Sequence, residues 1–283
     1  PPLIDGRIQF SYHWAQHAVF GARHGLPVVA VMNITDAPGM KVLVAKDKAG
    51  EIKSAADFKG RRVAEGAGYA TKAMLMNYLA TQAGLPQHAY RPVATQLAGR
   101  EETVKAGVKA GEIDLVAFME PLSSRILATG AVETLLDLSS REATEQLLGA
   151  SIPGESIIVS RKFADESPEV VVAIVQAFAR TVDFIKSHSA EDIYDALPDS
   201  YRSRKDRAVE IELIGLLKPV YARGGYDIRE ADMRLLVDMI EGFDFDDSEA
   251  GKWRRTSTAG AIDVRSLYDN RFVEASAARP KAD

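Results

Sequence analysis

Between Gly60 and Gly84 the chain reads GRRVAEGAGYATKAMLMNYLATQAG, an extended segment that runs through a small-residue turn into a helix. Arg61 to Ala64 predicts a short strand, and Glu65-Gly66-Ala67-Gly68 a tight turn. From Tyr69 onward Met74, Leu75, Tyr78 and Leu79 share one helical face. Gly84 then stops the helix. A helix opened this way leaves its first backbone N–H groups unpaired, and with the helix dipole they favour a bound anion or oxygen acceptor. The same stretch also reads as a plain strand-to-helix turn of an α/β domain, so the rest of the chain has to choose between a ligand cradle and a connection.

The remaining segments repeat this rhythm. Ile8 to Tyr12 predicts a strand, Trp14 to His24 a helix ending at Gly25, and Pro27 to Ile34 an apolar strand buried on both faces. Asp36-Ala37-Pro38-Gly39 is a turn and Met40 to Ala45 another apolar strand. Strand, helix and strand in so few residues suggest a parallel sheet covered by helices. Lys46 to Glu51 suits a linker, and Ser54 to Phe58 a helical turn. Beyond Gly84 follow a strand over Tyr90 to Thr95, a helix over Arg100 to Ala110 with Val104 and Val108 inward, and a strand over Asp114 to Met119. A helix over Leu122 to Thr129, a strand over Val132 to Leu138 and a short helix over Arg141 to Leu148 complete the run. Ser151 to Glu155 breaks the pattern, and Ser156 to Ser160 is expected to lead back to the first strands. Ser167 and Pro168 open a long helix with Val171, Ile174, Val175, Phe178, Val182 and Ile185 inward. After Ser189 the pattern is almost wholly helical.

A chain of 283 residues has room for two domains, each with its own core, and 46% hydrophobic with 27% charged residues is a globular composition. No apolar run reaches the roughly 18 residues that span a bilayer. The net charge is −5 with the Lys and Arg dispersed, so nucleic acid is not an expected partner. The absence of cysteine removes disulfides, thiolate metal sites and cysteine nucleophiles together. Residues 1–7 hold no secretion signal.

Traces of catalysis are thin. There is no G-x-S-x-G, H-E-x-x-H or P-loop lysine, and Gly66-Ala67-Gly68-Tyr69-Ala70-Thr71 lacks the third glycine of a dinucleotide fingerprint, so no cofactor is implied. His13 and His17, four apart, would share a helix face as two zinc ligands could, but no third ligand sits at helpful spacing, so no metal is expected. What remains is three groups at the C-terminal ends of predicted strands, where open α/β sheets bind ligands: Tyr12-His13-Trp14, Gly66 to Thr71, and Phe118-Met119-Glu120.

Four stretches carry a family resemblance: DGRIQFSYHWAQHAVFGARHGLPVVAV, SAADFKGRRVAEGAGYATKAML, VKAGEIDLVAFMEPLSSRIL and ESIIVSRKFADESPEVVVAIVQAFARTVDFIKSHSAEDI. Together they resemble the periplasmic substrate-binding proteins of nitrate, taurine and alkanesulfonate ABC importers, related to the thiamine-precursor binding group. The match covers residues 4–196, with an echo in DVRSLYDNRFVEA. The resemblance implies a two-lobed type II periplasmic binding protein fold of the α/β class, with residues 1–46 and 156–283 in lobe 1, residues 47–155 in lobe 2 and a helical C-terminal region. Family members begin with a further β-α-β unit, and the first lobe is expected to lack it.

The function it implies is capture of a small molecule between the lobes and delivery to an ABC permease in the membrane, by a monomer that is periplasmic or lipid-anchored outside the cytoplasm. Carried over position by position, the ligand contacts are Tyr12, His13, Trp14, Gly68, Tyr69, Ala70, Thr71, Phe118 and Glu120. Tyr12, Trp14, Tyr69 and Phe118 would form a stacking wall, and the helix start at Gly68 to Thr71 would hold a sulfonate, carboxylate or similar head. Glu120 would suit an amine or ring N–H donor unless it pairs internally with an arginine such as Arg125. The expected solute is small, partly aromatic or heterocyclic, with a polar head. The alternative is an enzyme on the same two-lobed fold, resembling a menaquinone-pathway lyase or a pyrimidine-precursor synthase, in which His13 beside Glu120 would transfer a proton.

Overall fold

A computed structural model describes residues 2–65, 70–93, 101–202, 206–221, 225–245, 252–253 and 261–278. Its strands in chain order are β1 (Phe10–Trp14), β2 (Val28–Asn33), β3 (Met40–Ala45), β4 (Arg62–Ala64), β5 (Arg91–Pro92), β6 (Leu115–Met119), β7 (Val132–Leu138) and β8 (Glu155–Ser160). The helices are α1 (Gln16–Arg23), α2 (Thr71–Gln82), α3 (Glu101–Lys109), α4 (Leu122–Ala128), α5 (Arg141–Leu148), α6 (Arg161–Glu166), α7 (Pro168–Ser187), α8 (Ala190–Ala196), α9 (Arg207–Leu217), α10 (Glu230–Glu241) and α11 (Arg271–Ala278). The chain divides into two compact units, Pro1–Pro38 with Leu148–Val237 and Ser257–Asp283, and Gly39–Leu147 with Asp238–Thr256. Among the described residues no helix is long and apolar enough to cross a membrane.

The first unit holds a three-stranded sheet in the order β1-β8-β2. β8 runs antiparallel to both neighbours, with Trp14 opposite Glu155, Tyr12 opposite Ile157 and Asn33 opposite Ser156. The expectation of neighbouring parallel strands joined by a helix therefore needs correction. β1 and β2 do run the same way, but β8 lies between them, because its SIIVS run is apolar enough to be buried in the centre of a sheet. Val29, Val31 and Met32 of β2 and Ile157 and Val159 of β8 form a core with Val171, Val175 and Val182 of α7 and Phe272 and Val273 of α11. The helical spacing of those valines makes one stripe of α7 apolar. Each fully buried side chain of this size contributes about 1.5–3 kcal/mol, and this seats the helix.

The second unit is built on a five-stranded sheet, β5-β4-β6-β3-β7. β4 is parallel to β5 and β6, whereas β3 is antiparallel to β6 and β7, so this sheet is mixed rather than wholly parallel. β3, which the sequence groups with the first two strands, is hydrogen-bonded inside this sheet. Its run MKVLVA is almost wholly buried, as a strand with neighbours on both edges requires. α2 is buried over Ala73, Met74, Leu75, Met76, Leu79 and Ala80, a wider face than the single stripe of the sequence reading, and Gly84 ends it with a φ of 83°.

Two motif acids have structural work. Asp57 closes a capping box, its carboxylate taking the N–H groups of Lys53 and Ser54 at 2.9 and 3.0 Å. Asp114 takes the backbone N–H of Arg62 at 2.8 Å and its guanidinium at 3.0 and 2.6 Å, fixing the start of β4.

Candidate functional site

In the first unit the group Tyr12, His13 and Trp14 lies on β1, not after it. The backbone stays extended through Trp14 and α1 opens only at Gln16. Strand alternation then puts Tyr12 and Trp14 on one face and His13 on the other. The Tyr12 ring stacks on Phe178 of α7, with centroids 6.1 Å apart and planes 6° apart, and the side chain is 46% exposed. Phe10 meets the same Phe178 edge-on at 5.9 Å. His13, expected on a helix face with His17, reaches it from the strand, with ring centroids 3.8 Å apart. Its Nδ1 accepts the Trp14 backbone N–H at 2.9 Å, and burial lowers its pKa. Among the described residues no group of three or more His, Cys, Asp or Glu is placed to hold a metal ion.

Opposite Trp14 stands Glu155, a residue that the sequence reading passed over as part of a pattern break. Its backbone is tightly held. The Glu155 N–H donates to Thr35 Oγ1 at 2.7 Å, and its carbonyl accepts from Ile34 at 2.7 Å and from Thr35 at 3.2 Å. Gly154 donates to the Thr35 carbonyl at 2.9 Å, and a Cβ there would stand 2.2 Å from Thr35 Oγ1. The Glu155 carboxyl is partly buried, which raises its pKa, while the Trp14 side chain beside it in the ladder pulls the other way. The hydroxyls of Tyr12 and Tyr221 both titrate above the usual tyrosine range, through burial first and then the Glu155 charge. An acidic residue opening a strand as apolar as SIIVS was the available signal, because a carboxylate in such a place needs a reason.

In the second unit Gly68 and Tyr69 lie outside the described residues. Ala70 is the extended residue capping α2, with no side-chain bond to the helix start, and Thr71, its first residue, is buried. The next residue, Lys72, holds its ammonium 4.4 Å from the centre of the Phe118 ring, within cation–π range. Phe118 itself is 3% exposed and packs with Leu43, Ala64, Val116 and Ile126, so its ring is a core element under Lys72.

Glu120 is also committed internally. Its carboxylate pairs with Lys41 of β3 and accepts from Ser124 Oγ at 2.8 Å and Ser124 N at 3.2 Å, at the start of α4. The suggested partner, Arg125, instead binds Glu101 at 2.9 Å. Register supplies the reason: Lys41 faces Phe118 across the β3–β6 ladder, which brings its long side chain to the residue two further on.

A second carboxylate, Glu65, which the sequence shows only as a turn residue, follows β4 at 2% exposure. Tyr90 donates to its Oε2 at 2.6 Å, Asn77 Nδ2 donates to the Tyr90 hydroxyl at 2.8 Å, and Asn77 Oδ1 takes the His88 N–H at 2.7 Å. Burial pushes Glu65 up to about 7, against the pull of Tyr90 and Lys72, and burial lowers Lys72 against the pull of Glu65. A buried acid and a desolvated ammonium thus flank the entry to α2.

The family model described as NMT1/THI5 like matches residues 2–192. The chain belongs to this family. Solved structures agree on the fold. A protein of Bordetella bronchiseptica RB50 superposes with a TM-score of 0.71 at 21% identity, over 97% of this chain and 82% of that one. A protein of Methylobacillus flagellatus KT, described as the periplasmic sulfonate-binding protein SsuA of an ABC transporter, gives 0.67 at 16% identity, over 97% and 76%. The periplasmic aliphatic sulphonate binding protein SsuA of Escherichia coli gives 0.62 at 19%, over 84% and 70%. No curated protein matches the sequence. The NMT1/THI5-like chain described here therefore has the α/β fold of type II periplasmic binding proteins.

Proposed function

We propose that this protein is the solute-binding component of an ABC-type importer, working in the periplasm or anchored outside the cytoplasm. It captures a small molecule, partly aromatic or heterocyclic or bearing a sulfonate or carboxylate head, and delivers it to a membrane permease. The family match over residues 2–192 carries this reading, and the sulfonate-binding neighbours support it.

In this reading Tyr12 and Trp14 offer the aromatic surface, with His13 behind them. The resemblance assigns Gly68, Tyr69, Ala70 and Thr71 to a polar head, and of these Ala70 and Thr71 stand at the start of α2, whose free N–H groups suit it. Phe118 supports that helix start through Lys72, and Glu120 fixes the opening of α4. A binding role fits better than an enzyme on the same fold, because the carboxylate such an enzyme would draw on beside His13 is tied to Lys41 and Ser124.

A thermal-shift screen of sulfonates, aromatic carboxylates, pyrimidines and amino-sulfonates tests the proposal. A true ligand at about 100 times its Kd stabilises by about 2.7 kcal/mol, a readily measured rise in Tm. A flat response across all four classes from the full-length protein would overturn it.

A further inference from the structure

We propose that Glu155, flanked by Trp14, Tyr12 and Tyr221 in the first unit, is the group that recognises a cationic nitrogen on the transported solute. This rests on the reading of the chain as a solute-binding protein and adds the charge that the solute carries at this end.

Carboxylates withdrawn from water are ordinarily matched by a cation or by several donors, since an unmatched one is costly. In this protein Asp114 has Arg62, and Glu120 has Lys41 and Ser124. Glu155 departs from that pattern. Among the described residues no lysine, arginine or histidine stands within ion-pair distance of its carboxylate, and its ladder partner is Trp14. Aromatic residues stand around it: Trp14 opposite it in the ladder, Tyr12 two positions from Trp14 along the same strand, and Tyr221, which bridges to the Thr35 that holds the Glu155 backbone.

An acceptor-only carboxylate with no cation of the protein beside it is matched to one kind of guest. The carboxylate neutralises a cation and accepts its N–H groups, whereas a second anion would be repelled. The site is also held in shape before any guest arrives. Thr35 grips the Glu155 backbone through its hydroxyl at 2.7 Å and its amide at 3.2 Å, its carbonyl takes the Gly154 N–H at 2.9 Å, and Phe178 holds the Tyr12 ring flat. Less ordering is then required on binding.

Matched probe pairs test the inference: 2-aminoethanesulfonate against 2-hydroxyethanesulfonate, 4-(aminomethyl)benzoate against 4-(hydroxymethyl)benzoate, and an aminomethyl- against a hydroxymethyl-pyrimidine. Affinities are read by calorimetry on the full chain. For whichever pair binds, the amine is expected to bind at least ~10-fold tighter, and Glu155→Gln is expected to bring the two members to within about 3-fold of each other. Binding without amine preference in the unaltered protein, or a preference that Glu155→Gln leaves intact, overturns the inference while the solute-binding function stands. No binding by any pair, with a flat response in the wider screen, overturns that function and the inference with it. If Glu155→Gln fails to fold, the unaltered protein's ratio decides, and Tyr221→Leu is the second variant, expected to reduce the amine preference.

Discussion

Tyr90 donates its hydroxyl to Glu65 Oε2 at 2.6 Å, and both side chains are buried. The carboxyl ordinarily titrates at 4.5, but here it is pushed up to about 7. A raised native pKa means that the folded state holds a proton which the unfolded chain has already released. The stabilisation is complete below about 4.5 and is lost as pH rises through about 7. Over that window wild-type stability should fall relative to Glu65→Gln by on the order of 3 kcal/mol. Urea midpoints for both proteins at pH 4.5, 6 and 8 check this, and parallel pH profiles would show that Glu65 does not titrate as described.

Lys41 and Glu120 form the pair at the opening of α4, with side chains 16% and 4% exposed. Removing only the cation leaves a buried carboxylate held by Ser124 alone. Lys41→Met should therefore cost about 3 kcal/mol in urea denaturation, near the low end for breaking a buried pair because the two Ser124 bonds remain. Adding Glu120→Gln should restore at least half of that loss, since the stranded charge is gone. Additive losses in the double mutant would mean that the two side chains are not coupled.

The limits of the sequence reading have the same physical origin as this pair. Burial periodicity located nearly every element, from the apolar runs of β2 and β3 to the valine stripe of α7, because each pattern is set by residues a few positions apart. Strand direction and neighbour are not local properties. PVVAVMNI reports that a strand is buried on both faces and is silent on whether β1 or β8 lies beside it. Partners escape the sequence for the same reason: Arg125 is near Glu120 along the chain, whereas Lys41 arrives through the β3–β6 register. On β1 the aromatic residues were legible from their place at a strand end, but Glu155 acquires its meaning only when β8 is laid against Trp14. At Gly68 and Tyr69 the sequence expectation stands without a structural counterpart.

Tyr12 and Trp14 are separable by substitution. Tyr12 gives its ring to Phe178 on one side and is 46% exposed. If the exposed surface meets the solute, Tyr12→Ala should weaken binding by about 1–3 kcal/mol, whereas Tyr12→Phe, which keeps the ring, should change it by less than about 0.5 kcal/mol. Trp14→Phe shrinks the ring that stands opposite Glu155 and should weaken binding more than Tyr12→Phe does. Calorimetry with any solute that raises the Tm measures all three, and unchanged affinity in Tyr12→Ala would remove that residue from the site.

Gly154 offers a test of how firmly Glu155 must be held. A Cβ at this position would stand 2.2 Å from Thr35 Oγ1 and 3.0 Å from the Ala37 carbonyl, so alanine cannot enter without moving Thr35. The displaced hydroxyl is the acceptor for the Glu155 N–H. Gly154→Ala should therefore lose about 1–3 kcal/mol of stability and also weaken solute binding, through the shifted Glu155. Thr35→Ala removes the obstructing hydroxyl. The double mutant should be destabilised by less than the sum of the two single changes, because the closest clash goes with the Thr35 hydroxyl and only the backbone approaches at 3.0 and 3.2 Å remain, while solute affinity stays low because the Glu155 backbone has lost its acceptor. Urea denaturation and calorimetry on the four proteins separate the two effects. Full recovery of affinity in the double mutant would mean that the Thr35 hydroxyl contributes nothing to holding Glu155 in place.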